Sequence, residues 1–153
     1  PKVECAKRRL QALNSEVEID AYPYRLTKEN AHELISRYDI VVDGMDNFMT
    51  RYIVSDECKL QGKPYVYGAI RGLDGQVAVL CKGHTTYRSL LPDEEATLSM
   101  PHPGKAVLGT TPAVVGSVEA SQVLMLAAEF GEPLIDKLWT VDLSTMMSYV
   151  IEM

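Results

Sequence analysis

The sequence predicts an α/β fold with a parallel sheet that turns antiparallel toward the C-terminal end. Helical and strand-like segments alternate along most of the chain, which is the pattern of α/β proteins. The β-branched run at residues 38–43 is typical of a strand buried in a parallel sheet. Residues 65–81 and 138–152 each contain two strand-like runs around a short turn, and such pairs form antiparallel hairpins.

Periodicity and turn chemistry define the elements of the first half. Apolar residues at helical spacing predict helices, alternation of apolar and polar residues predicts a strand, and Thr27 is a residue of the type that caps a helix. In order, the predicted elements are a helix at 2–13, a strand at 17–22, a helix that Thr27 caps, a strand at 38–43 and a helix from the turn at 44–47 to about Leu60.

The second half is predicted to contain more strands. Residues 72–75 read as a hairpin turn between strands at 65–69 and 76–81. Residues 82–105 lack periodicity and are predicted as a long loop, which in compact domains is usually functional or disordered. An apolar helix is predicted from Thr111 and Pro112 to about Phe130, before Gly131, and two antiparallel strands at 138–142 and 146–152.

Composition bounds the classes of function. The chain has 153 residues, 46% of them apolar, and is predicted to be a single domain over residues 1–153. Its 15 Lys and Arg against 21 Asp and Glu give a net charge of −6, which argues against binding nucleic acid. No apolar run is long enough to cross a bilayer, so no membrane association is expected. Three scattered cysteines without a CxxC pair predict a reducing, cytoplasmic location without disulfides.

The turn after the strand at 38–43 is the strongest candidate site. Ligands of open α/β sheets bind at the carboxyl ends of the strands, and this strand delivers Asp43 and Asp46 to that edge. Two carboxylates three residues apart, followed by a helix N-terminus, predict a magnesium ion that bridges phosphate oxygens. Asp46 is the better placed of the two if Asp43 packs against the strand end.

A simpler interpretation of the same turn stays open. Asp46 or Asn47 is then only the N-cap of the following helix, since caps of this type are common. Arg51 lies about one helical turn further along. It either reaches back to clamp a phosphate or a carboxylate, or it pairs with Asp43 or Asp46 on a solvated face.

Other kinds of chemistry find little support in the residues. The ten glycines form neither GxGxxG nor GxxxxGK[ST], so these residues contain no glycine-rich phosphate loop. His84 and His102 lack the spacing of metal ligands, which argues against a zinc site. Cys5, Cys58 and Cys81 are predicted to be buried structural cysteines.

One sequence element is more specific than the rest. Residues 46–51 read Asp-Asn-x-x-x-Arg directly after a hydrophobic strand. Weaker matches lie at 1–6, 13–17, 25–30, 62–64, 107–109 and 114–120. Together, these segments resemble the ThiF/MoeB/HesA family, the bacterial relatives of ubiquitin-activating enzymes. The resemblance covers nearly the whole chain and implies a Rossmann-like, mostly parallel sheet with antiparallel strands toward the C-terminus.

The resemblance also implies an activity and a set of residue roles. Members of the family use ATP and magnesium to adenylate the C-terminal glycine of a ubiquitin-like sulfur-carrier protein, and they commonly form homodimers. Lys2 matches a lysine that contacts the ATP phosphates, and Asp46 matches the aspartate that holds magnesium. Asn47 belongs to the same cofactor-binding element, and Arg51 matches a catalytic arginine that supports the aspartate. Such catalysis consists of positioning and charge neutralisation.

The chain also departs from the family. The family's N-terminal strand, glycine loop and helix precede the segment that Lys2 matches, so the chain is expected to be the C-terminal portion of the domain. The first zinc-binding CxxC falls at residues 86–89, where Thr86 and Ser89 replace the cysteines, and the second would follow Met153. No zinc is therefore expected. The family's sulfur-transfer cysteine falls at about His102.

Three functional hypotheses follow. The favoured one is part of an adenylyltransferase for a sulfur-carrier protein of thiamine- or molybdopterin-type sulfur transfer, with a crossover loop at about 82–110 and an isolated chain that is inactive. The alternative is a degenerate, non-catalytic family member that binds a carrier tail or a partner subunit. Its loss of the cysteines supports this alternative, whereas retention of Lys2, Asp46 and Arg51 opposes it. A fragment of a nicotinamide-dependent oxidoreductase rests on fold analogy alone.

Overall fold

The computed structural model describes residues 1–101 and 107–153. The helices are α1 (Lys2–Leu13), α2 (Lys28–Ser36), α3 (Phe48–Gln61), α4 (Tyr87–Leu90), α5 (Glu94–Ser99) and α6 (Thr110–Ala127). The strands are β1 (Val41–Val42), β2 (Tyr65–Arg71), β3 (Asp74–Leu80), β4 (Lys137–Asp142) and β5 (Met147–Glu152). The α/β class that the sequence predicts is confirmed. In the part of the chain that the structure describes, no helix is long and apolar enough to span a membrane.

The five strands form one sheet in the order β1-β2-β3-β4-β5. β1 runs parallel to β2, and the three remaining pairs are antiparallel, which confirms the predicted change of direction. The sheet has a smaller parallel part than the expected mostly parallel arrangement. One reason is that residues 17–22, predicted as a strand, form none. They pair with no neighbour in the described sheet, and alternation alone does not make a strand without a hydrogen-bonding partner.

The hairpin between β2 and β3 matches its prediction closely. Arg71 is paired with Asp74, so Gly72 and Leu73 form a two-residue turn. Gly72 has φ +60°, a left-handed conformation that glycine adopts without a steric penalty. The tight turn sets the register of the whole hairpin, from Arg71 opposite Asp74 to Tyr65 opposite Leu80.

Helices cover both faces of the sheet. On one face, α2 and α3 enclose a core that includes the large rings of Tyr52, Tyr65, Tyr67 and Tyr87. On the other face, α6 packs on β2 and β3 around a cluster of buried valines. Its end differs from prediction: α6 stops at Ala127, because Glu129 has φ +50° and breaks the helix before Gly131.

The segment predicted as a loop over 82–105 contains two short helices, α4 and α5. Thr86 and Ser89 form a capping box at the start of α4, and the Asp93 side chain caps α5 by accepting from the Ala96 amide at 2.9 Å. Helices of four and six residues are too short to show an amphipathic stripe, so periodicity misses them. Their caps were the available signal.

The first helix has the predicted bounds but little packing. α1 spans Lys2–Leu13, and none of its residues is buried. Its apolar stripe therefore faces no core in the described residues, and Leu13 remains 84% exposed. Cys5 is exposed as well, contrary to the expectation of a buried cysteine, because α1 offers no packed face to cover it.

Candidate active site

The candidate site begins where β1 ends. The amide of Asp43 donates to the carbonyl of Val66 at 2.9 Å, which extends the pairing of β1 and β2 by one residue. The chain then turns, and Asp43 Oδ1 accepts from the amide of Met45 at 2.8 Å. This side-chain bond closes a tight turn of the type that aspartate favours. The turn at 44–47 therefore has a fixed start at the carboxyl end of a strand.

Arg51 fixes the same turn from α3. Its Nε donates to Asp43 Oδ2 at 2.8 Å, and its Nη2 donates to the carbonyls of Met45 and Gly68 at 2.7 and 3.1 Å. The side chain of Arg51 is 12% exposed and that of Asp43 is fully buried. Burial is the largest single influence and lowers the pKa of Arg51, but the charge and hydrogen bond of Asp43, together with Tyr67 and Tyr65, outweigh it and raise that pKa, so the guanidinium stays charged.

This geometry selects one of the open alternatives for Arg51. Its side chain pairs with Asp43 and also donates to two carbonyls, and the pair is buried and not on a solvated face. Asp46 lies exposed on the turn that Arg51 holds, and the support of Asp46 by Arg51 that the resemblance implies stays a prediction. Arg51 lies in the first turn of α3, and its long side chain reaches from there to the end of β1. Asp43 is buried at that point without water as a partner, so it pairs with Arg51.

Asn47 serves as the N-cap of α3. Its Oδ1 accepts from the Thr50 amide at 2.9 Å, so the capping role that the simpler interpretation gives this residue is confirmed. Its Nδ2 donates to Asp46 Oδ1 at 3.3 Å, which orients that carboxylate. Any contact of Asn47 with a nucleotide stays a prediction.

Asp46 has the properties of a magnesium ligand. Its carboxylate is exposed beside the N-terminus of α3, and Asn47 lies next to it with a further amide group. Magnesium in nucleotide sites is commonly held by one or two carboxylates together with phosphate oxygens and water. The residues present fit such an ion, although no group of three or more acidic, histidine or cysteine side chains that could hold a metal occurs in the described residues.

Lys2 is exposed at the start of α1, a helix without buried residues. The expected contact between Lys2 and the phosphates of ATP therefore stays a prediction.

A cavity of about 360 Å³ opens beside Arg51 on the α3 side of the sheet. Tyr67 forms part of its wall, and the Arg51 guanidinium stacks over the Tyr67 ring at 5.6 Å. Gln76 donates to the Tyr67 hydroxyl at 2.6 Å, and Arg71 and Thr140 add further polar groups to the lining. The cavity combines an aromatic wall with hydrogen-bonding groups, which is typical of a ligand site.

Glu119 is the buried carboxyl that the sequence interpretation missed. It lies in α6, 7% exposed, and its Oε1 has no hydrogen-bond partner within residues 1–101 and 107–153. A Cβ placed on Gly68 would lie 2.3 Å from that oxygen, so the carboxyl rests directly on the glycine. Burial, with a contribution from the Asp43 charge, raises the pKa of Glu119 to about 7. The available signal was a carboxylate in an otherwise uncharged helix.

The positions that correspond to family cysteines contain other groups. Thr86 Oγ1 and Ser89 Oγ lie 3.2 Å apart, and Ser89 Oγ also accepts from the Thr86 amide at 3.1 Å. These hydroxyls therefore cap a helix. His102, at the approximate position of the sulfur-transfer cysteine, lies outside the described residues. Cys58 is buried and Cys81 is half-buried.

Comparison with known proteins defines the class to which this fold and site belong. Residues 1–153 match the ThiF family, and the chain belongs to that family. It is similar to the sulfur carrier protein adenylyltransferase of Thermus thermophilus, with 46% identity over 93% of this chain and 55% of the relative. It is also similar to the SAMP-activating enzyme E1 of Haloferax volcanii, with 35% identity over 95% of this chain and 54% of the relative.

Solved structures agree on the fold. The crystal structure of Escherichia coli MccB with ATP superposes with a TM-score of 0.80 at 18% identity, over 100% of this chain and 48% of that chain. Identity at this level supports the fold alone. The chain thus spans about half the length of the relatives that it matches.

Proposed function

We propose that these residues form part of an ATP-dependent enzyme that adenylates the C-terminal carboxylate of a ubiquitin-like sulfur-carrier protein. The observation that carries the proposal is the turn at 44–47, which the buried Asp43–Arg51 pair holds and which presents Asp46. Relatives named as sulfur carrier protein adenylyltransferase and as SAMP-activating enzyme support the choice of substrate class.

The residues have separate roles in this proposal. Asp46 is the magnesium ligand, Asn47 orients it, and Lys2 contacts the nucleotide phosphates. When bound, magnesium neutralises charge on the phosphates at the point where the carboxylate attacks. Arg51 is a positioning residue that keeps the turn at the strand end. The carboxylate forms a bond to the α-phosphate and pyrophosphate leaves, so positioning and charge neutralisation supply the catalysis.

The cavity beside Arg51 is the proposed place for the carrier's tail. Its volume of about 360 Å³ suits a few residues of extended chain with small side chains. Arg71, Gln76 and Thr140 offer hydrogen bonds to a peptide backbone.

The exposed edge strand β5, with Tyr149 and Ile151 about half exposed, offers a surface for a folded partner, either the carrier or a second copy in a homodimer. Three free thiols fit a cytoplasmic enzyme.

The test is ATP–pyrophosphate exchange in the full-length protein with its carrier. We expect Asp46→Ala to abolish exchange, because the metal loses its protein ligand, and we expect carrier binding to persist. Asp56→Ala is the matched control, since Asp56 is another carboxylate associated with α3 whose partner is Arg88, at 2.7 Å. Normal exchange by the Asp46→Ala protein would contradict the magnesium role. Carrier binding without exchange in the unsubstituted protein would instead support the non-catalytic alternative.

A further inference from the structure

The buried face of α6 contains one side chain that is not satisfied. Thr111, Val115, Glu119 and Gln122 make up this face. The Thr111 hydroxyl donates to the Gly72 carbonyl at 2.8 Å, and Gln122 Oε1 accepts from the Leu134 amide at 2.8 Å. Glu119 Oε1 has no partner in the described residues. A buried polar atom of this kind requires an explanation, because burial without a hydrogen bond costs free energy.

The carboxyl of Glu119 is coupled to the candidate site through Gly68. It rests on the Cα of Gly68, where a Cβ would lie 2.3 Å from Oε1 and 2.9 Å from Oε2. The carbonyl of the same glycine accepts from Arg51 Nη2, and Arg51 Nε donates to Asp43. Glu119, Gly68, Arg51 and Asp43 therefore form a continuous chain of contacts that ends at the turn bearing Asp46.

This cluster contains two carboxyls and one guanidinium. Arg51 forms three hydrogen bonds, one to Asp43 and two to carbonyls, and none of these three reaches Glu119. The buried β2 and β3 residues beneath α6 are Val66, Val77 and Val79, which bring no charge to this face. The charged groups that act on Glu119 in the described residues are Asp43 and Arg51, with Asp43 disfavouring its ionised form. A proton on Glu119 restores the charge balance.

We propose that Glu119 is a positioning residue that, while neutral, lets Arg51 hold the 44–47 turn and, once ionised, competes with Asp43 for Arg51. On ionisation the proton passes to solvent, and the single guanidinium is shared between two carboxylates. Its bond to Asp43 then weakens, and the turn is held less firmly. The effect of Glu119 ionisation on Arg51 is inferred from these contacts alone, whereas its effect on nucleotide binding rests on the proposed function.

The test follows the Arg51 Nε–H signal by NMR between pH 5.5 and 8.5. We expect a single titration whose midpoint matches that of the Glu119 carboxyl carbon, measured in the same sample. Glu119→Gln keeps the shape and removes the charge, so the Arg51 signal should then stay constant over this range. Val115→Ala is the control, because it loosens the same helix face where Val115 rests on Gly75 and removes no charge. It should keep the titration.

Two results would overturn the proposal. One is a Glu119 carboxyl that titrates at the ordinary value for glutamate. The other is an Arg51 signal that does not follow the Glu119 titration, or that keeps titrating in Glu119→Gln. If Glu119→Gln fails to fold, the titration midpoints of Glu119 and Arg51 in the unsubstituted protein still decide whether the proposal holds.

In the full-length protein, the KM for MgATP should rise severalfold above pH 7, and Glu119→Gln should remove that rise. An absence of exchange would count against the proposed function, and the NMR titration would still decide the role of Glu119.

Discussion

At the scale of single residues, the site depends on groups that are buried together. Arg51 bonds to Asp43, and neither side chain has enough contact with water to satisfy its charge alone. A buried ion pair adds little net stability, but removing one partner leaves an uncompensated charge. The pair therefore fixes the geometry of the turn. Its loss should lower the stability of the fold and disorder the turn that presents Asp46.

Arg51→Ala should lower the free energy of unfolding by about 3 to 5 kcal/mol, because Asp43 is left buried and unpaired. Urea denaturation at pH 7 measures this value. Arg37→Ala is the control: Arg37 pairs with Glu33 on the surface, with side chains 51% and 78% exposed, and its loss should cost far less stability. Equal losses of unfolding free energy from the two substitutions would show that water reaches Asp43.

Glu119 should make stability depend on pH. Its pKa of about 7 in the folded chain lies above the ordinary glutamate value of 4.5, so the folded state binds the proton more tightly. The resulting stability is full below about pH 4.5 and is lost as pH rises through 7, a difference on the order of 3 kcal/mol. Unfolding free energies of the unsubstituted chain and Glu119→Gln, compared from pH 4.5 to 8, should diverge accordingly. Parallel curves would rule this out.

At the scale of elements, short-range signals decide where helices begin and end. Thr27, the predicted cap of α2, forms a capping box with Asn30, with the Thr27 amide donating to Asn30 Oδ1 at 2.8 Å. Gly62, with φ +70°, follows the last residue of α3, close to the predicted end near Leu60. Such features depend on neighbours within a few residues, so the sequence is sufficient to locate them.

The N-cap of α3 offers a direct test at this scale. Asn47→Ala should cost about 1 kcal/mol, because the Thr50 amide loses its acceptor at 2.9 Å. Asn47→Ser retains a capping oxygen and should recover most of that loss. Thermal unfolding of both variants measures the difference. If serine fails to restore stability, the contribution of Asn47 lies in its contact with Asp46 instead of in the cap.

At the scale of the whole molecule, distant segments are tied together by single polar residues. Asp136 Oδ1 accepts from the Thr85 amide and hydroxyl at 2.8 and 2.9 Å, and Asp136 Oδ2 lies 2.7 Å from His84 Nδ1. The bond to His84, followed by those to Thr85, lowers the pKa of Asp136 to about 2. These hydrogen bonds join the segment before α4 to the segment before β4, and no local sequence pattern predicts them.

Asp136→Asn should lower the thermal midpoint at pH 7 and should leave stability near pH 2 unchanged. The lowered pKa means that the stabilising charge is present above the ordinary aspartate range and is lost as pH falls through about 2. Asparagine also tolerates the backbone there, where Asp136 has φ +54°. Glu132→Gln, which removes an exposed carboxylate near Lys137, should have no comparable effect. An equal loss at both pH values would assign the effect to packing.

The absence of a glycine-rich loop in these residues has a measurable consequence. Phosphate-binding loops supply several backbone amides to a nucleotide, and the ten glycines of this chain form no such motif. The 153-residue chain alone should therefore bind MgATP no more tightly than about 1 mM in calorimetry and should hydrolyse none. Micromolar binding would mean that Asp46 and its neighbours form a nucleotide site by themselves.

Local rules recovered much of this fold and part of the site. Periodicity located α1, α2, α3 and α6, the glycine turn placed the β2–β3 hairpin, and the order of elements indicated the α/β class. The motif at 46–51 identified the turn at the end of β1 and included Asn47, whose capping role the structure bears out. These features depend on residues that are close in the chain, where side-chain spacing and turn chemistry act directly.

Contacts between distant residues were beyond the reach of those rules. The strand expected at 17–22 has no pairing partner in the described sheet, Arg51 pairs with the buried Asp43, and Glu119 lies on Gly68, about fifty residues away in the chain. Each outcome depends on which groups are dehydrated together when the sheet and helices pack. Amino-acid order alone was enough for most of the longer elements and for the family, whereas packing decided which charges face each other, because desolvation exists only in the folded chain.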